Sequence, residues 1–137
     1  MRSSASGGCL CGAVRYRATG PATHPTLCHC ASCRRAAGAP AVAWVTFPSA
    51  SFSFERGEPA SFRSSPPVVR TSCGRCGTAL TYRHDDFADG VDVTTASLDD
   101  PTPFPPADHT WWSERVPWLR FDDGLPRFER SRGDGPK

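Results

Sequence analysis

The seven cysteines are Cys9, Cys11, Cys28, Cys30, Cys33, Cys73 and Cys76, and they fall in three clusters. The count is odd, and thiols within one to three residues of each other make strained disulfides. Clustered thiols in a reducing compartment mean metal or redox chemistry, and zinc is the metal that thiolate pairs at this spacing suit best. No set of four follows the regular ferredoxin spacing, so an iron–sulfur cluster is not expected. Cys73-Gly74-Arg75-Cys76-Gly77 reads as a knuckle, a tight turn whose glycines free the backbone to aim N–H groups at sulfur. In an extended segment Cys9 and Cys11 would project to one face. Cys28-His29-Cys30-Ala31-Ser32-Cys33 packs three thiols and an imidazole into six residues.

Two partitions satisfy the spacing. A zinc ribbon would join Cys30 and Cys33 to Cys73 and Cys76, leaving Cys9, Cys11 and Cys28 without a role. The other joins Cys9 and Cys11 to Cys73 and Cys76 and leaves Cys28, Cys30 and Cys33 as a local triad. We favour the second, because every cysteine is then used. A four-thiolate zinc is closed and structural, whereas three protein ligands leave a position for a substrate. His29 is either a fourth ligand of the triad or a packing and hydrogen-bonding residue. Arg34 and Arg35, next to the triad, are candidates for receiving a substrate carboxylate through paired hydrogen bonds.

The elements that must position these residues are short. The chain has 137 residues with 12 glycines and 14 prolines, one domain's worth of sequence broken every few positions. Val14, Tyr16 and Ala18 alternate with Arg15 and Arg17 in a strand over 12–19. Further strands are expected at 41–47, around Phe52 and Phe54, at 61–63, 68–72, 78–83 and 91–96. Residues 21–26 read as a loop, 34–37 as one helical turn, and 101–109 as proline-rich coil. Trp111, Trp112 and Trp118 either cover the core or line a pocket. The pattern predicts a mainly β single domain of antiparallel sheets.

Net charge is +2, from 16 basic against 14 acidic residues, and the arginines are scattered, so no nucleic-acid partner is expected. No apolar run is long enough to span a membrane. The first eight residues lack the apolar core of a secretory signal, and the expected location is the cytoplasm.

Three stretches resemble one family: Gly8-Cys9-Leu10-Cys11-Gly12-Ala13-Val14-Arg15-Tyr16, Cys28-His29-Cys30-Ala31-Ser32-Cys33-Arg34-Arg35, and Cys73-Gly74-Arg75-Cys76-Gly77-Thr78. It is the family of glutathione-dependent formaldehyde-activating enzymes, which includes centromere protein V. Gly38-Ala39-Pro40, Trp44, Ser97-Leu98-Asp99-Asp100-Pro101, His109 and Trp111 extend the likeness to about residues 7–128, with 1–6 and 129–137 expected as flexible ends. The resemblance implies a zinc-stapled β-tent with two zinc ions per chain. It implies a structural zinc on Cys9, Cys11, Cys73 and Cys76, and a second, open one on Cys28, Cys30 and Cys33. It adds Trp44 and His109 to Arg34 and Arg35 as candidate substrate contacts. The implied activity is carbon–sulfur lyase chemistry like that of S-(hydroxymethyl)glutathione synthase, acting on adducts of a small thiol and an aldehyde. The alternatives are a non-catalytic zinc-binding β-domain and a thiol redox sensor built on the triad.

Overall fold

The computed structural model describes residues 3–132. Its ten strands form two sheets, one of order β1-β2-β5 and one of order β10-β3-β4-β9-β8-β7-β6. The smaller sheet comprises β1 (Ser3–Gly8), β2 (Arg15–Gly20) and β5 (Phe52–Arg56). The larger contains β3 (Thr23–Cys28), β4 (Val42–Pro48), β6 (Ala60–Ser65), β7 (Val68–Ser72), β8 (Ala79–His84), β9 (Gly90–Thr94) and β10 (Asp108–Thr110). Every pairing is antiparallel except that of β10 with β3. The one helix among the described residues, α1 (Ala31–Ala37), is closed by Gly38 in the left-handed conformation. Among the described residues no helix is long and apolar enough to cross a membrane.

The alternation read from the sequence holds through β2 and the residue before it: Val14, Tyr16 and Ala18 are buried, and they face the core between the sheets. From the larger sheet Val45, Phe47, Leu80, Val91 and Val93 meet them, all fully buried. The Tyr16 ring stacks on Phe52 at 5.4 Å, and its hydroxyl reaches Ser97 Oγ at 2.7 Å. A buried hydroxyl needs such a partner, and burial pushes its pKa up to about 12.

Three strands depart from expectation. Residues 3–6 form the first four of the six residues of β1, paired with β2 from Ser3 opposite Gly20. Its small residues have poor strand propensity, yet size is what the position demands. A Cβ on Gly7 would stand 2.5 Å from the Tyr16 hydroxyl, and one on Gly8 would stand 2.4 Å from the Val14 carbonyl. Residues 21–26 are largely strand β3, with a register break between Thr23 and Thr26 that accommodates Pro25. The coil expected over 101–109 ends in β10, whose three residues are polar and all buried. Hydropathy could not flag them. Residues 129 and 130 likewise leave the expected tail, since their carbonyls accept from Ser113 and Trp111. Residues 133–137 lie outside the described residues.

Arg132 docks this end of the chain by forking onto Asp108, with Nη2 2.8 Å from Oδ1 and Nε on Oδ2. Burial raises the Asp108 pKa, but hydrogen bonds from Arg132 and Thr26 outweigh it and the net shift is downward. A lowered carboxylate pKa gives stability that is present above the unfolded value, about 3.9, and is lost as pH falls through the folded one. Arg132→Met is therefore expected to cost about 2 kcal/mol at pH 7, where Asp108 is left charged and unpaired. Urea unfolding of both chains at several pH values checks this: the gap should close on acidification below about pH 4.

Candidate functional site

The chain brings the cysteines together in two groups. Sulfurs of Cys9, Cys11, Cys73 and Cys76 lie within 4.8 Å of one another, and so do those of Cys28, Cys30 and Cys33. Cys9 and Cys11 sit in the β1–β2 turn rather than in an extended strand, and the Gly12 N–H closes that turn on the Cys9 carbonyl at 3.1 Å. The outcome expected from alternation is reached by turn geometry. The β7–β8 knuckle supplies the other pair, closed by the Cys73 N–H on the Thr78 carbonyl at 2.9 Å.

The donor set fits zinc. A tetrahedron with zinc–sulfur bonds of about 2.3 Å has sulfurs about 3.8 Å apart. Here Cys9 and Cys11 sulfurs are 3.7 Å apart, and Cys11 and Cys73 sulfurs 3.8 Å. Backbone donors surround them: the Val14 N–H meets Cys9 Sγ at 3.2 Å, and those of Arg75 and Cys76 meet Cys73 Sγ at 3.3 Å. Thr78 Oγ accepts from the Leu10 N–H at 3.0 Å, so its own proton is free to point at Cys76 Sγ, 3.3 Å away. Bonds from the Thr78 side chain and backbone bring the Cys76 thiol down to about 5. Donors aimed at sulfur stabilise thiolate, the form that binds metal.

The triad is built differently. Cys28 ends β3, Cys30 caps the N-terminus of α1 with its sulfur accepting from the Cys33 N–H at 3.2 Å, and Cys33 lies one turn in. Contact with Cys28 and Cys33 holds the Cys30 thiol far below its usual range, while contact with Cys30 and Cys33 drives Cys28 far above. Three sulfurs in contact resist losing all their protons together, and a divalent cation removes that conflict. Arg70 adds a fixed positive charge: its Nη1 and Nη2 lie 3.8 and 3.7 Å from Cys33 Sγ, its Nε donates to Ser64 Oγ at 3.1 Å, and its guanidinium stacks over Tyr82 at 5.0 Å. Cys33, Arg70 and Trp44 line one cleft of about 200 Å³, with Phe62 and Thr81 among its other walls. A larger hollow of about 340 Å³, between β1 and Phe104, contains no sulfur or imidazole, so size does not mark the site.

Residues 4–114 match the model of the glutathione-dependent formaldehyde-activating enzyme family. The chain belongs to that family. A relative from Halomonas elongata, provisionally named a glutathione-dependent formaldehyde-activating enzyme, is 28% identical over 85% of this chain and 80% of its own length. A solved Rhodobacter sphaeroides protein shares the fold, with a TM-score of 0.62 at 20% identity over 77% of this chain and 99% of its own.

Of the substrate contacts expected for a member of this family, Trp44 alone lines the cleft. Arg35 is exposed on α1, and Arg34 is half-buried with its Nε unpartnered. His109 is fully buried and hydrogen-bonded to His29 and Asp123, away from the cleft lining. His29 does not join the triad's ligand atoms. Its neighbours' sulfurs converge while its own ring turns to His109, so the packing role is the one it takes. Burial, reinforced by the charges of His109 and Arg115, lowers its pKa to about 4. Trp112 covers this buried pair and Trp111 packs against the triad, but Trp118 is 70% exposed and covers nothing.

Arg70 and Tyr82 escaped sequence reasoning, and spacing alone could not have found them. Counting back from the knuckle, where Ser72 faces Ala79, would set Arg70 opposite Thr81; a bulge between Thr71 and Ser72 shifts the register and brings Arg70 opposite Tyr82. The two sulfur groups also predict unequal consequences of mutation. Cys73→Ser is expected to remove the four-sulfur centre and lower the melting temperature by about 10 °C or more, for a loss of about 3 kcal/mol. Cys30→Ser should lower it by much less, because the triad is local in sequence. Thermal unfolding of both variants, with zinc counted by elemental analysis, checks the ordering.

Proposed function

We propose that the chain is a zinc-dependent carbon–sulfur lyase-type enzyme that makes and breaks adducts of a small, glutathione-like thiol and a small aldehyde such as formaldehyde. The observation that carries this reading is the contrast between the two sulfur groups. One has four sulfurs, a complete set, and the other has three and opens through Cys33 onto a cleft with an arginine and a tryptophan in its walls. On this reading Cys28, Cys30 and Cys33 hold the second zinc, and Cys9, Cys11, Cys73 and Cys76 the first. A zinc held by three thiolates supplies a place for a thiol to lose its proton and only weak polarisation of a carbonyl.

The net reaction joins the thiol sulfur to the carbonyl carbon, and the thiol proton ends on the carbonyl oxygen. Reversal breaks the same carbon–sulfur bond. Arg70 has five N–H donors and uses three, on Ser64 and twice on Cys33, so two remain for a substrate carboxylate. Among the described residues no carboxylate pairs with it. Trp44 stands edge-on to Tyr82 at 5.9 Å and walls the cleft, limiting water around the reacting atoms. Free thiol substrates persist in a reducing compartment, and that chemistry supports a cytoplasmic setting for the reaction.

Hemithioacetal formation followed by NMR, with formaldehyde and a series of thiols, tests the reading. The zinc-loaded chain should accelerate the reaction for at least one thiol, and Cys30→Ser should abolish the acceleration. Arg70→Met should raise KM for carboxylate-bearing thiols about tenfold or more relative to its effect on 2-mercaptoethanol. No acceleration with any thiol leaves a non-catalytic zinc-binding domain as the correct description.

A further inference from the structure

His29 stands between two cysteines of the triad and turns away from both. It is fully buried with His109, and each ring packs against Trp112 and Phe121, with centroids 4.7 to 5.4 Å apart. His29 Nε2 lies 2.9 Å from His109 Nδ1, and His109 Nε2 lies 2.8 Å from Asp123 Oδ2. The other carboxylate oxygen accepts from the Leu125 N–H at 3.1 Å, which fixes how Asp123 faces the pair.

A carboxylate at neutral pH only accepts, so this end sets the polarity of the chain of bonds. A neutral His109 then carries its proton on Nε2 and offers a bare Nδ1. His29 must then donate from Nε2 and keep its own Nδ1 bare. That atom is buried and has no hydrogen-bond partner. The backbone runs along the same line. The His29 N–H donates to the Thr110 carbonyl at 3.0 Å, the His109 N–H to Pro126 at 2.8 Å, and the Phe128 N–H to His109 at 2.8 Å. Phe121 and Asp123 lie beyond residue 114, where the family match ends.

We propose that the segment 121–128, acting through Asp123, His109 and His29, is a positioning device for the Cys28-His29-Cys30 turn. Asp123 fixes the polarity of the imidazole pair, the pair fixes the orientation of the His29 ring, and that ring holds the backbone so that the flanking sulfurs face the opposite side. The second part rests on the triad being a metal site, as proposed above; the imidazole polarity does not.

Nitrogen-15 NMR of the histidine rings in the full chain tests the first part. Both rings should carry the proton on Nε2 and show a bare Nδ1. A proton on His29 Nδ1 overturns the proposal. Asp123→Asn, whose side chain can donate or accept, should give a mixture of both polarities.

Cobalt(II) titration of the full chain tests the second, with absorption of the four-sulfur centre reporting that the fold stands. Asp123→Leu should weaken cobalt binding at the triad by about 10- to 100-fold and leave the other centre unchanged. Asp123→Asn, which keeps an acceptor, should recover part of that loss. Equal triad affinity in the wild type and both variants overturns the positioning role. Should Asp123→Leu fail to fold, Asp123→Asn decides alone: wild-type triad affinity together with mixed polarity overturns it. A wild-type triad that takes no cobalt overturns the metal reading instead, and the ring polarity is still read by NMR.

Discussion

The structure depends on four sulfurs meeting across two sheets. Cys9 and Cys11 come from the β1–β2 turn of the smaller sheet, and Cys73 and Cys76 from the β7–β8 knuckle of the larger. A chain of this length buries a modest apolar area, and two sheets facing each other through a few aromatic and β-branched residues are held weakly by that area alone. Joining both turns at one point restrains the ends of four strands at once. The arrangement is demanding, since sulfurs 3.7 to 3.8 Å apart repel as thiolates unless a cation lies among them. The N–H groups of Val14, Arg75 and Cys76 offset part of that charge, and the tight turns that bring the sulfurs together are also what aim those N–H groups.

The triad meets the same problem with fewer resources. All three of its sulfurs come from one end of β3 and the first turn of α1, so it ties together little that is distant in sequence. Its extra support comes from neighbours: Arg70 from β7 on one side, and the buried His29–His109 pair on the other. Because β3 and β10 are parallel, His29 receives help from a segment 80 residues away in the chain. Local sulfurs backed by remote side chains leave one face of the group open to the cleft, which a cross-sheet staple could not.

The legible and illegible parts of this molecule divide along physical lines. Thiol spacing needs no tertiary context, so both sulfur groups could be read from Cys9 to Cys76. Period-two alternation placed the strand with Val14, Tyr16 and Ala18, because one face of it is buried and the other is not. β1 was hidden because its residues are chosen for close approach to Tyr16 rather than for strand propensity. β10 was hidden because it buries Asp108, His109 and Thr110, polar groups whose partners Arg132, Asp123 and Thr26 lie far away in sequence. Arg34 and Arg35 drew attention by adjacency to the triad, yet α1 carries Arg35 outward. The arginine that reaches the sulfur arrives from β7, across the sheet.

Charge explains why it is this arginine. The seven-residue helix that follows the Cys30 N-cap carries Arg35 on its exposed face and leaves Arg34 half-buried, and it is Arg70 whose guanidinium meets Cys33 Sγ. A strand running past the triad presents Arg70 end-on, while Tyr82 opposite stacks under the guanidinium and limits its freedom. Three thiolates around a divalent cation would carry one net negative charge, and the Arg70 guanidinium beside Cys33 would restore neutrality within a largely desolvated corner.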